Sequence, residues 1–357
     1  MKRMDLYIAR AVVVNVLLVL LVLTVLAGIM NFVSEIHTTY NHPHYTLWEA
    51  AIYTFMKVPG GMYDMFTVAV LLGALLGMGE LAAHNELTVF RVAGVSAARL
   101  GLAAMCGGVL LAAACVLLGE FVVPNTEQNA EDRRATLVDE RSNPFGAGGV
   151  WARDGMSFVN VRAVANRDTA RGVYVYEVGP DRQLKRVDAA TLGKFKDGRA
   201  HLVKVRVTSF EPDAGGTAVS TNRQQVWKTS LTPELISLFA VDTDSLSAHG
   251  LYSYIDYLQA NHLDDSRYRA AFWARVAKPV ALLAMLLLSL PFVFGPLRSS
   301  STGQRMLTGM LLGIGFYVTN SIFMQTGIVF GLNPVLTAWL PTVLLAGISV
   351  FAVQRIR

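Results

Sequence analysis

Three histidines, His37, His42 and His44, stand close together early in the sequence. Their donor atoms suit a divalent metal, but a solvated, weakly ordered loop is the preferred reading and no metal site is expected. The two cysteines, Cys106 and Cys115, lie nine residues apart in one apolar run. At about 100° per residue they face opposite sides of a helix and cannot bond to each other. No G-x-x-x-x-G-K-S/T phosphate loop, H-E-x-x-H pair or G-x-S-x-G elbow occurs. With no catalytic constellation and no cofactor motif, the chain is expected to bind and move something and not to be an enzyme.

Two stretches carry polar side chains that suit binding. The first runs from Ala83 to Gly94 and holds Glu86, Leu87, Phe90 and Arg91. With Leu87, Phe90 and Arg91 on one side and Gly94 as a C-cap, it reads as a short amphipathic helix. It is either a surface connector or a docking helix for a cytoplasmic motor. The second follows an apolar run through Glu120 and Pro124 to Glu127, Glu131, Asp132, Arg133 and Arg134. These charges either mark the edge of a membrane or meet a charged amphiphile there, since an arginine fork suits phosphate.

The elements that must position these residues follow from composition. Of 357 residues, 53% are hydrophobic and 16% charged, against about 25% charged in soluble chains. The deficit sits in six apolar runs near the length that crosses a bilayer. They are Ala11–Val33, Met62–Leu81, Leu100–Val122, Pro279–Leu297, Met306–Phe330 and Val335–Val353. The first lacks the features of a cleaved signal and is read as a retained span. Gly331-Leu332-Asn333-Pro334 separates the last two. The net charge of +5 comes largely from basic residues that flank these runs, which argues against nucleic-acid binding. Lys2, Arg3, Arg10, Arg91, Arg99, Arg298, Arg305, Arg355 and Arg357 fall on one side, so both termini are expected in the cytoplasm. Gly73-x-x-x-Gly77 and Gly309-x-x-x-Gly313 let helices approach closely, within the chain or between subunits.

The middle region has ordinary soluble composition and is expected outside, in the periplasm of a bacterial inner membrane. It reads as strands. Val150–Arg162 contains an Asp154-Gly155 turn, Gly172–Val178 alternates, and Lys185–Phe195 and Ala200–Phe210 flank Asp197-Gly198. Alternation over Leu202, Val203, Val205 and Val207 is imperfect. Leu251–Leu263 reads as a short amphipathic helix. The expected fold is a polytopic α-helical membrane protein of six transmembrane helices with a periplasmic β domain, a β-sandwich or a β-jelly-roll, between helices 3 and 4. Its boundaries are expected at 1–124 for the first three spans, with the coupling segment at 83–94, 125–270 for the β domain and 271–357 for the last three spans.

The run Leu71-Leu72-Gly73-Ala74-Leu75-Leu76-Gly77 is followed by Glu86-Leu87 with Ala93-Gly94, then Gly119-Glu120 with Pro124 and Glu127-Gln128. Trp227-Lys228-Thr229 precedes Leu231-Thr232-Pro233, and Phe294-Gly295-Pro296-Leu297-Arg298 closes the fourth run. In order and spacing these stretches resemble, from end to end, the lipopolysaccharide-export permease family, LptF and LptG. The Phe-Gly-Pro-Leu-Arg run and the Leu251-Tyr252-x-Tyr254 region point to the LptG branch. The resemblance implies a transmembrane subunit of an ABC transporter that extracts lipopolysaccharide from the inner membrane. It implies an LptF-type partner subunit, an LptB-type ATPase dimer below, and LptC with LptA above to receive the cargo. Glu86 falls on the family's coupling-helix acid, which meets an arginine of the ATPase, with Leu87, Phe90 and Arg91 beside it. Arg134, with Arg133 contributing less, falls on the rim that binds the cargo's phosphates. The sequence departs from the family where lysines are usual, having Asn31, His37 and Thr38 instead. Asn31 is then an uncharged candidate for lipid contact, and Lys57 a candidate substitute for the missing charge. A membrane-anchored periplasmic adaptor without transport is the alternative reading, and the LptF paralogue a further one.

Overall fold

The computed structural model describes residues 2–41, 45–138, 149–166, 169–196, 198–211, 216–229, 231, 243, 246–294 and 302–355. His42, His44, Asp197, Thr232, Pro233 and the Gly295-Pro296-Leu297-Arg298 part of the closing motif lie outside them. The helices in chain order are α1 (Lys2–Asn41), α2 (Leu47–Ala83), α3 (Glu86–Val92), α4 (Ala97–Leu117) and α5 (Val123–Val138), and after the strands α6 (Ala248–Ala260), α7 (Ser266–Phe294), α8 (Thr302–Val329) and α9 (Pro334–Gln354). Among the described residues, six helical segments are long and apolar enough to cross a membrane. They fall on the six apolar runs. The chain divides into a helical unit (1–38, 50–127 and 266–357) and a second unit (39–49 and 128–265).

The first three apolar runs lie within longer helical segments, Arg3–Tyr40, Leu47–Ala83 and Ala97–Arg134. The third is the clearest case. Leu100–Val122 was expected to leave the membrane through Pro124, yet helix continues across it. A π-turn at Leu118–Val122 joins α4 to α5, and such a turn already displaces one regular backbone bond. The missing N–H of Pro124 therefore falls next to a local break in the ladder. The carbonyl of Gly119, inside that turn, accepts a bond from Arg275 Nη1 at 3.1 Å.

In the helical unit α1 buries one narrow stripe, Ile8, Val12, Val16 and Leu20, each at most 1% exposed. The four-residue spacing puts them on one face. Glycines set the closeness of the packing. A side chain at Gly73 would strike the Val16 backbone, and one at Gly77 would meet the Ala11 carbonyl. Gly309 and Gly313 likewise face Leu75 and Val68 of α2. Both small-residue motifs thus pack within the chain. Between α7 and α9, the Ser349 hydroxyl lies 3.0 Å from the Ala284 carbonyl and 2.8 Å from that of Leu345.

The second unit holds one six-stranded antiparallel sheet in the order β1-β2-β3-β4-β5-β6. The strands are β1 (Val150–Asp154), β2 (Ser157–Asn166), β3 (Thr169–Val178), β4 (Leu184–Lys196), β5 (Arg199–Glu211) and β6 (Gly216–Lys228). The expected β domain is present. Among the described residues its strands follow one another in sequence order. A crease crosses it. Arg162 opposite Gly172, and Thr191 opposite Lys204, drop out of otherwise constant registers, and Gly172 and Lys204 have φ of +64° and +53°. Burial changes phase there: Ala200 and Leu202 point inward on one side, Val205 and Val207 on the other. That break is the physical reason for the imperfect alternation in β5. β6 was not anticipated. Its nearly all-exposed, polar sequence carries no period-two pattern, and its strand form comes from pairing with β5.

The Tyr257 hydroxyl of α6 donates to the Arg153 carbonyl at 2.7 Å and accepts from the Arg153 N–H at 3.0 Å. The Asn261 side-chain oxygen accepts from Gly155 N–H at 2.9 Å. An edge strand leaves a row of unpaired backbone groups, and α6 satisfies those of Arg153 on β1. Burial raises the Tyr257 pKa above the usual tyrosine value.

Candidate functional site

The segment between α2 and α4 is built from backbone signals that the sequence carries. Asn85 adopts a left-handed conformation with φ of 61°, which asparagine tolerates better than most residues. It separates α2, which ends at Ala83, from α3. Helix α3 ends on a Schellman motif: Gly94, at φ of +89°, donates to the Arg91 carbonyl, and Val95 donates to that of Phe90, both at 3.0 Å. Ser96 then caps α4 by accepting from Arg99 N–H at 3.3 Å. The helix proper is Glu86–Val92, shorter than the expected 83–94.

Glu86 opens α3, where a carboxylate is favoured by the free N–H groups. Its Oε2 accepts a hydrogen bond from the Tyr7 hydroxyl at 2.8 Å. Leu87 and Arg91, read together on one side, differ in exposure, Leu87 being buried and Arg91 exposed. Leu87 is 3% exposed and belongs to the chain's own core, with Phe90 packed partly against it. A seven-residue helix has few apolar positions, and these two are consumed in seating it on the helical unit. The open side instead carries Val89, Arg91 and Val92, with Val92 85% exposed. Beside this segment Arg99 donates to Asp5 Oδ2 at 2.6 Å, while Asp5 Oδ1 and Arg99 Nε are buried without a hydrogen-bond partner.

Arg133 makes a two-point pair with Glu49, Nε to Oε2 at 2.8 Å and Nη2 to Oε1 at 3.1 Å. Arg134 is half-buried. Lys57 stands 3.4 Å from Glu127 and above the Tyr53 ring. Asn31 is exposed, and its carbonyl accepts from the Ser34 hydroxyl at 2.8 Å. Arg133 and Lys57 are therefore each committed to an acid, an arrangement their sequence neighbours did not suggest.

Sequence reasoning missed one charged cluster. Lys278 lies 3.7 Å from Asp64 and 3.3 Å from the centre of the Tyr63 ring, and the Arg275 guanidinium stands 5.5 Å from the same ring. Isolated charges in or beside apolar spans were the available signal, since ionisable groups there survive only when paired. No three or more His, Cys, Asp or Glu residues are placed to hold a metal among the described residues.

The family model described as "Lipopolysaccharide export system permease LptF/LptG" matches residues 6–355. The chain is 33% identical over 355 residues to the LptG permease protein of Escherichia coli strain K12, covering 99% of this chain and 98% of the relative. It is 33% identical over 342 residues to that of Haemophilus influenzae, covering 96% and 95%. Similarity to the LptF permease protein of Escherichia coli strain K12 is lower, 23% over 298 residues, covering 80% of this chain and 76% of the relative.

Proposed function

The chain belongs to the lipopolysaccharide export system permease family LptF/LptG, and from that premise we propose that it is the LptG-type membrane subunit of an ATP-driven exporter, one that draws lipopolysaccharide out of the inner membrane and hands it to a periplasmic bridge. Near-complete coverage by LptG relatives at 33% identity carries this reading, against lower coverage and identity for LptF. As a permease subunit it is not itself a catalyst. Its companion in the membrane is an LptF-type subunit. The energy comes from an LptB-type ATPase dimer in the cytoplasm, and LptC and LptA take the cargo on the other side.

In this reading both termini and α3 lie in the cytoplasm, and the inserted sheet lies in the periplasm. The one-sided distribution of Lys and Arg at the span ends supports that placement. Glu86 is the acid that meets a cation of the ATPase, with Arg91, Val89 and Val92 completing the contact and Leu87 and Phe90 holding the helix in place. Arg134, aided by Arg133, stands at the rim where lipid phosphates pass, with Asn31 and Lys57 as further lipid contacts. The domains divide near 124 and 270. Export from liposomes tests the whole proposal. Vesicles containing lipopolysaccharide and this chain with LptF-type and LptB-type partners release it to added LptC and LptA on addition of ATP. Release without this chain, or none with the full set, overturns the proposal.

A further inference from the structure

The residue that touches Glu86 is itself unassigned. Tyr7 lies near the start of α1, 79 residues before Glu86, and its side chain is held in no core: the residue is 45% exposed. Its hydroxyl therefore has no burial to compensate, and water would serve it as well as a carboxylate. That it reaches Glu86 at 2.8 Å makes the bond a feature of the coupling segment.

What lies behind Tyr7 gives the bond mechanical meaning. The first half of α1 is fixed to its neighbours at close range. Gly73 and Gly77 of α2 admit the backbone at Val16 and Ala11, and Gly107 of α4 admits the Ala9 carbonyl. Past Leu20 the helix is largely exposed. The Asp5–Arg99 pair adjoins this fixed half and is incompletely made. One bond holds it, while the remaining Asp5 oxygen and Arg99 Nε are buried and unsatisfied. Buried polar atoms left unpaired carry a desolvation cost, so this contact at the base of α1 is not a fully satisfied one.

We propose that Tyr7 is a positioning residue for Glu86, holding its carboxylate toward the ATPase and linking α3 to the base of the first span. The inference rests on the reading of Glu86 as the coupling acid. A carboxylate has about four acceptor sites. Tyr7 takes one on Oε2 and leaves Oε1 for a cationic side chain. Movement of α3 on its ATPase then pulls on α1 through the Tyr7 hydroxyl, and on the body formed by α1, α2 and α4.

A double-mutant cycle in the reconstituted complex tests this, reading ATP hydrolysed per lipopolysaccharide released together with retention of the ATPase. Tyr7→Phe keeps the ring and removes only the hydroxyl. It should raise the ATP cost per molecule about five-fold, the equivalent of one ordinary hydrogen bond. Glu86→Ala should raise it at least as much and weaken retention. The double variant should match Glu86→Ala alone, because the two side chains act through one bond. Tyr7→Phe at the wild-type ratio while Glu86→Ala is impaired overturns the inference alone, as does an undiminished Tyr7→Phe effect in the Glu86→Ala background. Glu86→Ala at wild-type values in both readouts overturns the coupling reading and the inference with it.

Discussion

Arg133 and Glu49 close a two-point ion pair, with both nitrogen–oxygen distances at or below 3.1 Å. The two planar groups meet fork to fork, the geometry in which arginine differs most from lysine. The pair joins the start of α2 to α5, and it leaves the neighbouring Arg134 on a different side of the same helix. Two adjacent arginines that look equivalent in sequence thus differ in exposure, Arg133 exposed and Arg134 half-buried.

This difference sets the first prediction. Arg134→Glu should impair lipopolysaccharide binding more than Arg134→Lys, and Arg133→Ala should act chiefly by releasing Glu49. Photocrosslinking from position 134 in an active complex measures the first point. Abundant adducts to lipopolysaccharide are expected, and their absence removes Arg134 from the rim. For the second, Arg133→Ala and Glu49→Ala should combine with less than additive effect.

The proposed orientation predicts labelling by a membrane-impermeant thiol reagent in cells with the outer membrane permeabilised and Cys106 and Cys115 replaced. A single cysteine at Thr217, exposed in β6, should react. One at Ser96, the exposed cap of α4, should react only after the inner membrane is broken. The reverse pattern inverts the topology.

Glycine contacts predict a contrast between two similar-looking positions. Gly73→Ala forces a methyl into the Val16 backbone, whereas Gly28 has open space around it. Overpacking of this kind costs about 1–3 kcal/mol. Gly28→Ala should be neutral or slightly stabilising, since alanine favours helix by roughly 1 kcal/mol. Thermal melting of the two variants in detergent distinguishes them, and equal midpoints would contradict the α1–α2 packing.

Tyr257 predicts an alkaline limit for the second unit. Its hydroxyl must keep its proton to donate to the Arg153 carbonyl, and burial raises its pKa in the fold. A raised folded value means that the folded state holds the proton more tightly. The contribution is therefore complete below the unfolded tyrosine value of about 10 and is lost as pH rises from there through the folded one. Tyr257→Phe should cost about 1–3 kcal/mol by stranding the Arg153 backbone groups, speed hydrogen exchange in β1, and flatten the loss of stability above that pH. Unchanged exchange in β1 would show that α6 does not hold the edge.

The sequence by itself determined the six spans, the insertion between the third and fourth, and the local turns at Gly94 and Gly155. Each depends on one segment's own physics: apolar length against a hydrocarbon layer, or a positive φ that few residues adopt. It also carried the family likeness, because short motifs in fixed order survive without any knowledge of contacts. Tertiary structure alone decided what needed a partner from far along the chain. Helix α3 reads as amphipathic, yet only packing shows that Leu87 serves the chain's own core and leaves Val89 and Val92 outside. β6 has no strand signal because its form comes from β5. The crease through Gly172 and Lys204 reverses which residues face inward, and no period-two rule anticipates such a break. Tyr7 and Glu86 meet across 79 residues, and Arg133 and Glu49 across 84. A hydrogen bond depends on distances of a few tenths of an ångström, which the packing of whole helices sets.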